Sequence, residues 1–291
     1  AFTALVVPDP KSNLITGILS IFGLSNIHLY LEDSNYWGLS ARYNPFTHTW
    51  SLGVEEQFYL IYPALLWLSL LIFGRNNGYT RVIVLFSLIS LASLFGFYTL
   101  YNSNPAASYY LPQFRAWQLG LGCIAALVPR WDLPCLKNSV VHVLLLALVL
   151  TLFAPAAYAV AATVAISVLT ALIVYLVSTN TVSVPLLCNT SSAYIGRISY
   201  SLYLWHWPVI VLSLWTIGIH WWSWPFQAAL IFVLAAASYH LVEQPLREAS
   251  WGNLRQIPVG PAIAVLTALT ALPVIYFTSP RLALAMALPA P

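Results

Sequence analysis

His48, Ser51, Glu55, Glu56 and Gln57 crowd into one stretch, His48-Thr49-Trp50-Ser51-Leu52-Gly53-Val54-Glu55-Glu56-Gln57-Phe58-Tyr59. An imidazole and a carboxylate that reach a common point can take a proton from a hydroxyl and return it to a leaving group, which is what general acid–base chemistry needs. Adjacent carboxylates repel each other, so the pair Glu55-Glu56 gains little as a simple anchor. The stretch opens onto a long apolar run, Leu60 to Phe73. Ionisable groups held against such a run are costly, and they mark a functional site by default. The competing reading is a capping and salt-bridge cluster that fixes a helix end at a membrane surface.

The element that must position these groups is a helix. Asn44-Pro45 is a start signal, because proline is tolerated in a first turn. With a helix from about Phe46 onward, at about 100° per residue, His48 and Glu55 share a stripe two turns apart. Ser51 lies near that stripe, and Glu56 sits about 80° round. A metal at His48, Glu55 and Glu56 is weakly supported, since ligands confined to one turn and its neighbour do not surround an ion. No metal is expected. The chain has no GxGxxG, Walker, GxSxG or HExxH pattern, so none of those chemistries is supported.

Composition narrows the setting. Only 7% of the residues are charged, against about 25% in an ordinary soluble domain, and the mean hydropathy is +0.80. The formal charge of +3 is too small to argue for nucleic acid and its basic residues are scattered, so no nucleic-acid partner is expected. Cys123, Cys135 and Cys188 are far apart and lack CxxC spacing, so they read as small apolar residues with no disulfide framework.

The apolar stretches are of membrane-spanning length, at about Val54–Phe73, Val82–Tyr101, Phe114–Val128, Val140–Ala156, Tyr158–Val177, Ile198–Thr216, Pro225–Leu241 and Ile257–Phe277. Asn13 to Leu31 is apolar but broken by Thr16, Gly17, Ser20, Gly23, Ser25, Asn26 and His28, which suits a re-entrant hairpin or an interfacial helix. The expected fold is therefore an all-α polytopic membrane protein of about eight transmembrane helices plus one re-entrant or interfacial helix. Arg75, Arg81, Arg130, Lys137, Arg197, Arg247 and Arg255 flank one side of these spans, and Arg42, Arg115, Arg281 and Lys11 the other. The richer side is cytoplasmic by the positive-inside rule. The His48–Glu56 cluster and the C-terminus then lie on the extracytoplasmic side.

The stretch from His48 through Tyr59, continued by Leu60-Ile61-Tyr62-Pro63, resembles the signature of acyltransferase family 3, the membrane O-acetyltransferases of O-antigen and peptidoglycan. Further matches follow in order: Phe114-Arg115-Ala116-Trp117-Gln118-Leu119-Gly120, Ile198 to Pro208, and Val242-Glu243-Gln244-Pro245-Leu246-Arg247. The resemblance implies an enzyme that moves an acyl group, most often acetyl, from acyl-CoA (acetyl-CoA) on the cytoplasmic side to a hydroxyl of an exported glycan. The donor is a substrate, and no bound cofactor is implied. The partners would be the lipid bilayer, acyl-CoA and the glycan acceptor, and the location a bacterial inner (plasma) membrane.

The resemblance also implies ten membrane helices and often an eleventh leading to an SGNH hydrolase-like domain. On that basis residues 1–256 form the acyltransferase membrane domain, 257–277 the appended helix, and 278–291 the start of an extracytoplasmic linker. Ala1–Val7 reads as the stub of a third helix, with the first three lying upstream. In the family the first of these carries a basic residue about ten positions before a histidine that is central to catalysis. A piece without it would be inactive alone.

Within this chain the expected catalytic groups are His48, Glu55 and Glu56. The expected substrate contacts are Trp50, Ser51, Gln57, Arg115, Tyr203 and His206. Each has a plainer reading. Arg115 could bind an anion or snorkel from a helix end. His206 could hold a sugar or shuttle a proton, or belong to an aromatic belt with Trp205 and Trp207. The hydroxyls of Ser199, Tyr200, Ser201 and Tyr203 could bond carbohydrate or neighbouring helices. Trp221, Trp222 and Trp224 read as an interfacial belt. Glu243 and Arg247 read as an ion pair around Pro245, with the helix ending there. The alternative function is a transporter or flippase of a lipid-linked glycan, which would move substrate without consuming a thioester. A purely structural membrane partner would leave the polar cluster unexplained.

Overall fold

The computed structural model describes residues 10–32, 43–73, 78–129, 138–178 and 184–249. Every regular element among the described residues is helical. The chain divides into two compact units, one of Ala1–Gly53 with Tyr194–Pro291 and the other of Val54–Ala193.

In the first unit, the segment expected to be re-entrant forms two short helices, α1 (Pro10–Ile21) and α2 (Ser25–Leu31). They break at Gly23, whose φ of 64° is a conformation that glycine adopts without a Cβ penalty. The 12 residues of α1 rise about 18 Å, well short of the ~30 Å hydrocarbon core. Both helices bury polar residues, Asn13, Thr16, Ser25 and Asn26.

A 3-10 turn, Thr47–Thr49, leads into α3 (Trp50–Phe73). The α-helix therefore begins four residues later than its proline signal predicts. Asn44 explains the delay. Its Oδ1 accepts the Phe46 amide at 2.9 Å, and its carbonyl is shared by the Thr47 amide at 3.2 Å and the Trp207 indole N–H at 2.9 Å. The local bonds tighten the turn before the α ladder can start.

The second unit takes up α3 at Val54. It continues through α4 (Gly78–Ser103), α5 (Pro105–Tyr110), a 3-10 turn at Pro112–Phe114, α6 (Ala116–Leu127), α7 (Asn138–Thr151), α8 (Ala159–Ser178) and α9 (Pro185–Cys188). α4 packs along α6, and α8 against both α6 and α7. A Cβ on Gly120 would run into Ser90 Oγ, so the close approach of α4 and α6 there favours glycine. Val141, Ile173, Leu176 and Val184 form an apolar core. On α4 the stripe Leu88, Leu91, Phe95, Tyr98 is exposed, which is the spacing of one outward helical face.

The first unit resumes with α10 (Thr190–Thr216), most of which belongs to it, and α11 (Trp224–Ser238). A π turn at Tyr239–Glu243 and α12 (Gln244–Glu248) follow. The helix does not end at Pro245. The wide turn resets the ladder so that the proline falls at the start of α12, where its missing N–H leaves nothing unpaired.

Three helical segments among the described residues are long and apolar enough to cross a membrane: Thr80–Ser103, Ala156–Ser178 and Trp224–Glu248. The expected spans Phe114–Val128 and Val140–Ala156 appear as α-helices of 12 and 14 residues, shortened by the turns at Pro112 and Pro155. The expected span Ile257–Phe277, the linker after it, Ala1–Val7 and Cys135 lie outside the described residues, as do Arg42, Arg75, Arg130, Lys137, Arg255 and Arg281.

Candidate active site

Three rings of the first unit meet at one place. His48, in the 3-10 turn, lies 5.2 Å from Tyr203 and 5.3 Å from His206 between ring centroids, and Tyr203 and His206 are 5.3 Å apart. His206 and Tyr203 come from consecutive turns of α10.

The hydrogen bonds assign the protons. A carbonyl can only accept, so the 2.6 Å contact between His206 Nδ1 and the Tyr203 carbonyl places a proton on Nδ1, and Nε2 is the only ring position that could act as an acceptor. The Tyr203 hydroxyl donates to the His48 carbonyl. Its 2.6 Å contact with Ser51 Oγ must then be donated by the serine. Ser51, Tyr203 and the His48 backbone form a one-way chain that locks the turn onto α10.

His48 itself is buried, at 8% exposure, and neither ring nitrogen has a hydrogen-bond partner. Burial first, then the neighbouring His206, lowers its pKa to about 4. The carbonyls of Leu204 and Pro45 face the ring and pull the other way. Leu204 has that carbonyl to offer because Pro208, four residues on within α10, has no N–H to occupy it. His48 is thus a neutral imidazole at neutral pH, with the Leu204 and Pro45 carbonyls facing it.

A polar web supports the turn. Asn44 Nδ2 donates to Thr16 Oγ1 at 2.9 Å. Thr49 Oγ1 meets Ser20 Oγ at 2.5 Å and Ser25 Oγ at 3.2 Å. Gly53 lies so close that a Cβ would stand 2.8 Å from Asn26 Oδ1 and 3.0 Å from the Gly23 carbonyl. Sequence reading named His48, Ser51, Tyr203 and His206, which the structure brings together. It missed Asn44 as a builder of the site, and the carbonyl freed by Pro208. The dipeptides Asn44-Pro45 and Trp207-Pro208 were the signals for both.

The other expected residues fall partly elsewhere. Trp50 is half-buried in the first unit; Glu55 and Gln57 are half-buried and Glu56 exposed in the second. Arg115, also in the second unit, donates to the Tyr109 carbonyl at 3.3 Å and to Gln118 Oε1 at 3.4 Å. Its guanidinium lies 4.8 Å from the Tyr109 ring centre and 5.5 Å from that of Phe97. Glu243 accepts from Ser201 at 2.9 Å and pairs with Arg247 at 3.9 Å. No group of three or more potential metal ligands occurs among the described residues.

A family model described as an acyltransferase domain, that of acyltransferase family 3, matches residues 13–241. A protein of Komagataeibacter xylinus named as a membrane-bound transacylase is 30% identical over 240 residues, covering 81% of this chain and 60% of its own length. A Bacillus subtilis protein named as a peptidoglycan O-acetyltransferase is 30% identical over 263 residues, covering 79% of this chain and 39% of its own. The peptidoglycan O-acetyltransferase OatA of Listeria monocytogenes is 26% identical over 253 residues, covering 81% and 40%. The chain thus spans 60% or less of the length of these relatives. No solved structure matches it.

Proposed function

The chain belongs to acyltransferase family 3, and from that premise we propose that it moves an acyl group, acetyl in the first instance, from acyl-CoA to a hydroxyl of an exported glycan. The observation that carries this reading is the pair of imidazoles, one buried and one half-buried, whose rings lie 5.3 Å apart. His206 holds one nitrogen committed to a carbonyl and the other free to accept a proton. His48 is neutral and edge-on to it.

In the reaction the thioester end of acyl-CoA would have to reach through the membrane domain from the cytoplasmic side to the His48 turn, where the acceptor hydroxyl attacks its carbonyl and gives its proton to an imidazole. The tetrahedral oxyanion collapses, the C–S bond breaks, and the thiolate takes the proton back. His206 Nε2 is the group prepared to take the proton, and His48 orients the hydroxyl or shares the transfer. Glu55 and Glu56 remain proposed proton-handling groups, and Arg115 a contact for an anionic part of a substrate. Trp50, Ser51, Gln57 and Tyr203 would hold the acceptor or its site.

The proposal carries its topology with it. Eight spans, with 1–256 as the catalytic membrane domain and 257–277 as an added helix, put the His48 turn and the C-terminus outside the cytoplasm. A reporter fused after Pro291 should then be active only on the outer side.

The test uses the complete natural protein. His48→Gln and His206→Gln should each lower labelled acetyl transfer from acetyl-CoA to glycan by about 10²–10⁴-fold, the range for a lost proton-transfer group. Full transfer in both variants overturns the assignment. Glycan movement with no thioester consumed would instead identify a flippase.

A further inference from the structure

Glu243 ends the π turn that follows α11, inside the membrane-length segment Trp224–Glu248. A carboxylate in such a segment is costly and marks a function by default. Its side chain is 24% exposed, and Arg247 stands 3.9 Å away with a side chain 61% exposed. A pair so long and so open contributes little. The closer partner is Ser201 of α10, a fully buried residue whose hydroxyl donates to Glu243 Oε2 at 2.9 Å. The same turn touches α10 a second time. His240 Nε2 meets the Tyr194 hydroxyl at 3.2 Å, and the two rings stack. Arg247 Nη2 donates to the Tyr239 hydroxyl at 3.3 Å and so ties the turn to α12. π turns are rare, and they recur at functional sites.

The two contacts grip one face of α10. Tyr194 and Ser201 are seven residues apart, which puts them about 20° from each other on the helix. By the same arithmetic Ser201 lies about 160° from Tyr203 and about 140° from His206. The π turn therefore holds α10 from behind, while Tyr203 and His206 face the His48 turn in front. Pro208 takes one bond out of the α10 ladder just beyond His206. The C-terminal end of α10 is thus a weak guide to the rotation of the His206 turn, and the grip near its N-terminal end sets it.

We propose that Glu243 is a positioning residue for acyl transfer: through Ser201 it fixes the rotation of α10 about its axis, and with it the approach of His206 to His48. Side-chain tips stand about 5–6 Å from a helix axis, so a rotation of about 10° moves them about 1 Å. A misplacement of that size can cost about 10²-fold in rate. This inference rests on the acyl-transfer reading and assigns Glu243 no contact with substrate.

The test follows labelled acetyl transfer from acetyl-CoA to glycan by the complete protein. Glu243→Ala and Ser201→Ala should each lower kcat about 10–100-fold and leave the KM for acetyl-CoA unchanged. Glu243→Gln keeps an oxygen that accepts from Ser201 and should keep most of the transfer. Glu248→Ala, which loses only an exposed bond from Gln244, should transfer like the natural protein. If Glu243 acts through His206, adding Glu243→Ala to His206→Gln should cause no further loss, because residues that act as one unit are not additive. Should Glu243→Ala fail to fold, as read by its melting temperature, the milder Ser201→Ala takes its place in every comparison.

Full transfer by Ser201→Ala and Glu243→Ala, or a further loss on top of His206→Gln, overturns the positioning role. A loss in His206→Gln alone then leaves the acyl-transfer reading standing. Full transfer by both His206→Gln and His48→Gln overturns that reading, and this inference with it.

Discussion

The two units bury different chemistry. Among the described residues, the first buries twelve polar side chains, including three asparagines, a glutamine, three threonines and His48. The second buries four, all serine: Ser69, Ser90, Ser93 and Ser108. A serine can return its hydroxyl to its own helix, as Ser69 does to Leu66 and Ser108 to Pro105, and so costs the apolar interior little. Asparagine and histidine cannot be satisfied so locally and demand partners from other elements. The first unit is therefore a polar machine with a small apolar margin, and the second an apolar frame. The difference is one of buried chemistry, a polar network in the first and apolar packing in the second.

The sharpest way to break this contrast is with pH. His48 has a folded pKa of about 4 against 6.5 for an ordinary histidine. The unfolded chain therefore binds the extra proton between those values, so stability rises with pH across that window. It is complete above about pH 6.5 and is lost as pH falls toward 4, by roughly 3 kcal/mol from this group alone. Melting followed from pH 7 to 4.5 should show a steep loss in the natural protein and a shallower one in His48→Gln. Equal slopes would mean that the imidazole is hydrated, and that the first unit is less dry than its geometry indicates.

Next in size is the loss of a polar side chain from each unit. Asn44→Ala removes the bond to Thr16 and strips the Phe46 amide of its acceptor, which should cost about 2–3 kcal/mol. It should also reduce acyl transfer, because the turn that carries His48 loses its tie to α1. Ser93→Ala removes a single acceptor from the Trp117 amide and should cost about 1 kcal/mol. A larger effect at Ser93 than at Asn44 would reverse the assignment of polar structure to the first unit.

Much of this was legible in the sequence, and the illegible part has a physical cause. Long apolar runs announced α4, α8 and α11 because a lipid-facing helix must be apolar along its length. His206 stood out between Trp205 and Trp207, and Tyr203 as one of a run of hydroxyls with Ser199, Tyr200 and Ser201. The start of α3 was misplaced because Asn44 spends its bonds on a turn, a tertiary choice that involves Trp207, more than a hundred and sixty residues on. Pro245 looked like a terminator because a π turn, which no periodicity displays, absorbs it. The meeting of His48 with His206 could not be read at all from spacing, since it depends on how the 3-10 turn lies against α10.

Glycines give the smallest and most selective comparison. Gly53 sits in the first unit with Asn26 Oδ1 and the Gly23 carbonyl already against the place of its missing Cβ. Alanine there gains helix propensity of up to about 1 kcal/mol but must push on a backbone carbonyl that the Gly23 turn holds in place. Overpacking costs about 1–3 kcal/mol, so the net should be a loss of about 1 kcal/mol. Gly122, in α6 of the second unit, has nothing within 4 Å of an added Cβ. Alanine there keeps the propensity gain and meets no neighbour, so Gly122→Ala should raise the melting temperature slightly. Opposite signs at two helical glycines would show that the contrast lies in packing around the backbone, since the intrinsic preference is identical at both. If Gly53→Ala were also stabilising, α2 would have to yield, and the close fit that positions the His48 turn would not be a constraint on the site.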